Sequence, residues 1–406
     1  MTDAHVILIT IPGLREFDVE PMSSIRDLMA CGEIADLVPG FPCLGGPITT
    51  NMTTGRRPRV HGITGDFFYN RRTHRFQTTG LSNERVETPQ IWDLLSQRDE
   101  SLTSAVWFAP YAQECGADHI CCCTEEENLY TRPVELSRTL TEQLGPFPGV
   151  QDEKRTAWIV DSAIATAKAG APRFFYIRLP YLSTVAEKFG PESDEVKAAL
   201  VQLDEQLARL IDGIRAAIDP ETTTWFLSGE YVVTPVDHVL YPNRILRGAG
   251  FLEVREEDGK ELIDFEKSKA WAMTDGQVSH VFLKDKDEPR LHQIVGLFAG
   301  APGIDEVVVG AELRKYDLDH ANSGDLVLMS LPHSWQAYYW WIDDDHAPDF
   351  ARRIAPTQKP GYDPVELFAE PGPEKGTGTI CAAHPAGPTG KWSQSPFPAP
   401  SKDNLD

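Results

Sequence analysis

Residues able to transfer a proton or attack a reactive centre gather in a few short phrases of this 406-residue sequence. The stretch 41–50, FPCLGGPITT, has the shape of a loop that presents a nucleophile at the start of a helix, yet glycine stands where the nucleophile is expected. Cys43 lies two residues before that glycine, Gly45. A thiolate near a helix N-terminus can have a lowered pKa and support covalent chemistry; the competing reading is a small buried residue packed under the loop. Further along come Asp66 in HGITGDFFY, Glu230 and Tyr231 in SGEYVV, Asp275 and His280 in TDGQVSH, and His384 in CAAHPAG. His, Glu, Asp and Tyr converging on one pocket suffice for proton transfer without a metal. Plainer readings stand beside these: Asp66 as a turn residue before FFY, and His280 as a core histidine satisfied by hydrogen bonds. Arg15 and Glu16 in IPGLREFD could position a charged substrate group or simply be solvated.

Such phrases need a scaffold to bring them together, and the apolar pattern suggests one. HVILITI, SAVWFAP, RFFYIRLP and TTTWFLSG are short strand-like runs bounded by turn residues. Between them, TPQIWDLLSQR, TAWIVDSAIATAKAG and SDEVKAALVQLDEQLARLIDGIRAAI repeat apolar residues at three and four, the last with Ser193 as its expected N-cap. This alternation predicts an α/β fold with a mostly parallel sheet and helices on both faces. The expected division is a core of 1–235 and 316–390, a smaller lobe of shorter strands over 236–315, and a loose Pro/Gly-rich tail over 391–406. Ligands in such folds sit at the carboxyl ends of the strands, which directs attention to the loops IPGLREFD, FPCLGGPITT, LPYLSTVAEKFGP and SGEYVVTPV.

Composition narrows the partners. Lys+Arg 38 against Asp+Glu 61 gives a formal net charge of −23, which repels nucleic-acid phosphates and anionic lipid headgroups. No apolar run approaches the roughly 20 residues a spanning helix needs. MTDAHVILITIPG reads as a first buried strand rather than a signal. Seven cysteines without a spaced framework read as free thiols, so the expectation is a cytoplasmic protein acting on a small molecule, away from nucleic acid and membrane. The run Cys121, Cys122, Cys123 lacks the loop that a zinc site wants, because neighbours on a strand point to opposite faces.

Over nearly its whole length the chain resembles the alkaline phosphatase superfamily, in particular the type I phosphodiesterase/nucleotide pyrophosphatase branch. MTTGRRPRVHGITGDFFYNR, LYTRPVELSRTLTEQLGPFPG, KFGPESDEV, NRILRGAGFLEVR, KAWAMTDGQVSHVF, SGDLVLMS and QKPGYDPVELF carry the likeness in family order. The resemblance implies an alkaline-phosphatase-like scaffold and phosphoester hydrolysis by a Thr or Ser nucleophile set between two divalent metals. Position by position, that chemistry is missing. The family's metal-binding Asp after the first strand falls on Pro12, its nucleophile on Gly45, and the Asp of the middle strand on Ser183. The later Asp-His-Gln phrase reads Asp275, Gly276, Gln277, and another His falls on Thr357. An Asn that binds a phosphoryl oxygen is replaced by Asp66, whose charge would repel phosphate by about 4 kcal/mol at 4 Å in an effective dielectric of 20. His384 falls near the last metal-binding His, and Glu230 and Tyr231 replace an Asp-His pair.

The expectation is therefore a metal-independent, cofactor-free enzyme recruited for acid/base chemistry of lyase, cyclase or isomerase type on a small molecule in a specialised biosynthetic pathway. Asp66, His384, Glu230 and Tyr231 are its candidate catalytic residues, with Arg15, Glu16, Cys43, Gly45, Tyr181, Ser183, Asp275 and His280 about the substrate. Two alternatives stay open: a noncatalytic protein that binds a ligand or partner, and a phosphoesterase that assembles a metal from Glu230, Asp275, His280 and His384.

Overall fold

The computed structural model describes residues 4–77, 82–123, 128–149, 154–348 and 351, together with the backbone of a strand over 380–384. Its main sheet is built from β1 (His5–Ile11), β2 (Ser104–Trp107), β3 (His119–Cys123), β4 (Leu129–Arg132), β5 (Phe174–Arg178) and β6 (Thr223–Gly229), in the order β4-β3-β2-β5-β1-β6. Every neighbouring pair is parallel except β3 with β4. The inner strands read as unbroken apolar runs because both faces are covered: Ile7, Ile9, Ile11, Phe175, Tyr176 and Ile177 are all fully buried. Cys121 and Cys122 go to two different hydrophobic clusters, as alternation along a strand requires.

The helix α1 (Gly45–Thr54) opens the FPCLGGP loop's continuation, and α2 (Arg155–Gly170), α3 (Tyr181–Phe189) and α4 (Asp194–Arg215) pack together. In α4 the buried positions Val196, Ala199, Leu200, Leu203, Leu207, Leu210, Ile211 and Ile214 form one stripe, and Ser193 Oγ caps the start by accepting the Val196 N–H at 3.2 Å.

Beyond β6, the chain forms β7 (Val232–Val236) and then a separate four-stranded antiparallel sheet. Its strands are β8 (Ala270–Asp275), β9 (Val278–Leu283), β10 (Ile304–Val309) and β11 (Leu326–Ser330), in the order β8-β9-β11-β10. The 236–315 stretch supplies three of these strands, while the fourth comes from chain past 315. Trp271, Phe282, Phe298 and Trp341 fill this sheet's own core, which also takes in Phe67 and Tyr69 from the segment after the loop helix. The last described strand, β12 (Ile380–His384), pairs antiparallel with β7. The expected 391–406 tail lies outside the described residues. No described helix is long and apolar enough to cross a membrane.

Candidate active site

Register decides what meets at the carboxyl edge of the main sheet. Thr10 of β1 stands beside Arg178 of β5 on one side and Ser228 of β6 on the other, and Glu230 follows one residue after β6 ends. Thr10 and Arg178 stand at the ends of strands whose inner residues are buried apolar side chains, so these two polar ends have little freedom to move.

Arg178 and Glu230 form the centre. Arg178 Nε donates to Glu230 Oε1 at 2.9 Å and to Oε2 at 3.1 Å, and Nη2 donates to Oε2 at 2.9 Å. Thr10 Oγ1 adds a bond to Glu230 Oε1 at 2.8 Å, and the Tyr176 hydroxyl lies 2.9 Å from Thr10 Oγ1. Glu230 is fully enclosed by this set, with a side chain at 0% exposure against 12% for Arg178. The guanidinium is held charged, because the adjacent carboxylate outweighs its burial. Its Nη1 makes no hydrogen bond among the described residues.

The glycine at the head of α1 abuts this pair. A β-carbon at position 45 would sit 3.2 Å from Arg178 Nη2 and 3.8 Å from Asp66 Oδ2. Guanidinium and carboxyl thus flank the position where the resembling family carries its nucleophile. Asp66 Oδ1 accepts the Gly46 N–H at 2.5 Å, capping the helix from twenty residues away. Asp66 Oδ2 is buried with no hydrogen bond of normal geometry, although the Gly45 N–H lies near enough to favour the ionised form. Burial pushes the Asp66 carboxyl up to about 6, against the pull of Gly46 and Arg178. Tyr111 closes the other side: a β-carbon at Gly46 would meet its ring at 2.7 Å.

The remaining expected residues fall into distinct places. Asp275 Oδ2 accepts the Asp66 N–H at 2.7 Å, so it orients the Asp66 segment from the end of β8. His280 is fully buried with both ring nitrogens engaged: Nε2 pairs with Thr64 O at 3.0 Å and Nδ1 accepts the Gly324 N–H at 3.0 Å. Burial lowers its pKa to about 4, and the imidazole is neutral. Cys43 is buried in the main core beneath the loop. Tyr231 is buried with its hydroxyl 3.5 Å from Ser183 Oγ, and that Oγ donates to Pro180 O at 3.0 Å. Tyr181, partly buried, begins α3 alongside them. Arg15 turns away into bonds with Asp18, Pro191 O and Glu192, while Glu16 is exposed next to it. The backbone of His384 lies opposite Val232, two residues past Glu230. Thr357 lies outside the described residues.

Two residues absent from the candidates read off the sequence belong to this site: Arg178 and Tyr111. Arg178 had a signal, a single charge ending the buried run FFYI at the ligand-binding edge of the sheet. Glu187 is a further buried carboxyl, on α3, pushed up to about 8 by its burial.

The donor set does not suit the two divalent metals that the resemblance implies. Pro12, Gly45 and Gly276 have no ligating side chain, Glu230 is taken up by Arg178 and Thr10, and both nitrogens of His280 are occupied. Among the described residues no trio of His, Cys, Asp or Glu is placed to hold a metal ion.

Residues 6–363 match the family model of type I phosphodiesterase / nucleotide pyrophosphatase. Among solved structures, the fold is similar to phosphonoacetate hydrolase from Sinorhizobium meliloti 1021 in complex with phosphonoacetate, with TM-score 0.64, 17% identity and 83% of each chain covered. It is also similar to the inactive murine ectonucleotide pyrophosphatase / phosphodiesterase 5 in complex with AMP, with TM-score 0.58 and 14% identity over 82% of this chain and 80% of that one. The human form gives TM-score 0.57 at 12% identity, covering 84% and 82%. No curated protein sequence shows a significant match.

Proposed function

Because this chain belongs to the type I phosphodiesterase / nucleotide pyrophosphatase family yet has an arginine–glutamate pair beside its vacant nucleophile position, we propose that it is a metal-independent acid/base enzyme acting on a small molecule. The scaffold is the family's; the chemistry is a proton transfer of lyase, cyclase or isomerase type. One observation carries this reading. Asp66 Oδ2 is buried, lacks a hydrogen bond of normal geometry and faces the vacated position at 3.8 Å, while Oδ1 is anchored on the helix α1.

With its carboxyl pushed up to about 6, Asp66 is ionised at neutral pH yet basic enough to take a proton. Arg178 supplies the fixed positive charge that would otherwise come from a metal, and its orientation is set by Glu230. The relatives whose structures hold phosphonoacetate and AMP bind phosphorus anions. Here Glu230 already balances Arg178 and Asp66 adds a negative charge, so a neutral or singly charged ligand is favoured over a phosphate dianion.

The experiment is a screen of small neutral metabolites in deuterated water, read by NMR for deuterium incorporation or product. Turnover should be indifferent to EDTA, fall on the acid side through about pH 6, and drop by about 10² to 10⁴ in Asp66→Asn. Hydrolysis of p-nitrophenyl phosphate that requires added zinc or manganese would overturn the proposal. A ligand bound without turnover, equally in wild type and Asp66→Asn, would instead favour a binding protein.

A further inference from the structure

A groove of about 260 Å³ lies along the flank of α1, away from the Asp66 carboxyl and Arg178. Ile48 and Met52, four apart on the helix, line it together with Leu37 and Val38 of the preceding loop, which are 50% and 79% exposed. Arg56 and Arg57, just past the end of the helix, line it as well. No acidic residue is in the lining, and Glu33 and Asp36 of the loop are exposed outside it.

The two arginines are held in place but unengaged. Gly55, at φ +63°, ends α1 with its N–H on Asn51 O at 2.9 Å, the Arg56 N–H bonds Thr54 Oγ1 at 3.1 Å, and Pro58 opens the next helical turn. A β-carbon at Gly40 would lie 2.6 Å from Arg57 Nη1, so the loop backbone passes directly over that guanidinium. Arg59, two residues on, pairs with Asp317, whereas neither Arg56 nor Arg57 has a side-chain partner among the described residues. Asn51 offers the groove no acceptor. Its Oδ1 accepts the His61 Nε2–H at 2.9 Å, because His61 Nδ1 already accepts the Ile63 N–H at 3.1 Å.

We propose that this groove binds a small carboxylate, its charged end on Arg56 and Arg57 and a short hydrocarbon chain along Ile48, Met52, Leu37 and Val38. The planar fork of arginine matches a carboxylate, and two cations without counter-charges in a chain of net charge −23 favour an anionic guest. A hydrocarbon chain over Leu37 and Val38 removes from water apolar surface that the fold leaves exposed. The volume falls below the roughly 300–1,000 Å³ of drug-sized sites, which suits a single short chain and excludes a nucleotide or a two-chain lipid. From Ile48 to Gly55 the helix rises about 10 Å, a span for a medium-length chain. The groove shares α1 with Gly45 and Gly46, but Asp66, Arg178 and Glu230 take no part in its lining, so it is independent of the acid/base reading.

Calorimetric titration of the full chain with sodium octanoate, 1-octanol, acetate and inorganic phosphate tests the proposal. Octanoate should bind once per chain, more weakly as salt is added, and more tightly than the other three. Its affinity should fall by about tenfold or more in the double variant Arg56→Gln/Arg57→Gln and in Val38→Glu, each with an unchanged melting temperature, and stay the same in Asp66→Asn. Absence of octanoate binding, or equal binding to the double variant, overturns the proposal. Octanol binding as tightly as octanoate would mean a merely apolar surface, and phosphate binding as tightly would mean a simple anion site; either overturns the assigned class.

Discussion

Arg178 carries a buried positive charge that Glu230 balances at the edge of the main sheet. It occupies the flank of Gly45, and any side chain at 45 must push against Nη2 at 3.2 Å. Gly45→Thr should therefore leave hydrolysis of p-nitrophenyl phosphate at background and destabilise the fold by about 1–3 kcal/mol, read by urea unfolding. The pair itself makes a sharper prediction. Glu230→Gln leaves a buried guanidinium without its counter-charge and should cost about 3–5 kcal/mol. Arg178→Met combined with Glu230→Gln should cost clearly less than the two single changes together, because neither member of the pair is left buried without the other. A double-mutant cycle on unfolding free energies reads this directly.

At the scale of elements, the site depends on how closely the loop after β1 approaches the head of α3. Gly13 has φ +84°, its N–H donates to Tyr231 O at 2.9 Å, and a β-carbon there would lie 3.1 Å from Ser183 Cα. Both the left-handed backbone and the contact require glycine. Gly13→Ala should cost about 1–3 kcal/mol and shift α3 away from the sheet edge, seen as a lowered melting temperature and weaker hydrogen-exchange protection over 181–189. The helix α1 is held differently: its side-chain cap is Asp66, so one carboxylate both ends the helix and faces the vacant position. Asp66→Asn keeps an acceptor oxygen for Gly46 and should alter stability by less than about 1 kcal/mol while removing the proposed base. That contrast separates a capping role from a catalytic one.

For the whole molecule, the buried ionisable groups set opposing trends with pH. His61 and His280 have their pKa values lowered to about 4 from 6.5, so the unfolded chain binds more protons between those values and stability rises with pH there. Asp66, raised from 3.8 to about 6, acts in the opposite sense over nearly the same window. Glu187 is raised from 4.5 to about 8: its contribution is fully present below 4.5 and is lost as pH rises to about 8. Between 6.5 and 8 Glu187 acts alone among these four groups, so urea-derived stability should decline across that interval in the wild type and stay level in Glu187→Gln. A wild-type profile as flat as the variant's would contradict a protonated Glu187.

Much of this protein was legible from the order of its residues. The apolar runs of β1, β5 and β6 and the stripe of α4 are local patterns with a single favourable packing, and they specified a mostly parallel α/β sheet before any contact was known. The family phrases did the same for the alkaline-phosphatase-like scaffold, and that Pro12, Gly45 and Gly276 offer no ligating side chain is a matter of residue type alone. The arrangement about Gly45 is not local. Arg178 meets Glu230 across 52 residues, Asp66 reaches back 20 to Gly46, and Asp275 reaches Asp66 from 209 residues away. A carboxyl's readiness to hold or release a proton depends on how far it is removed from water and on which charges and dipoles face it. Those conditions exist only once β5, α1 and α3 are packed together, so the tertiary structure alone set Asp66 and Glu187 apart from the chain's other acidic side chains.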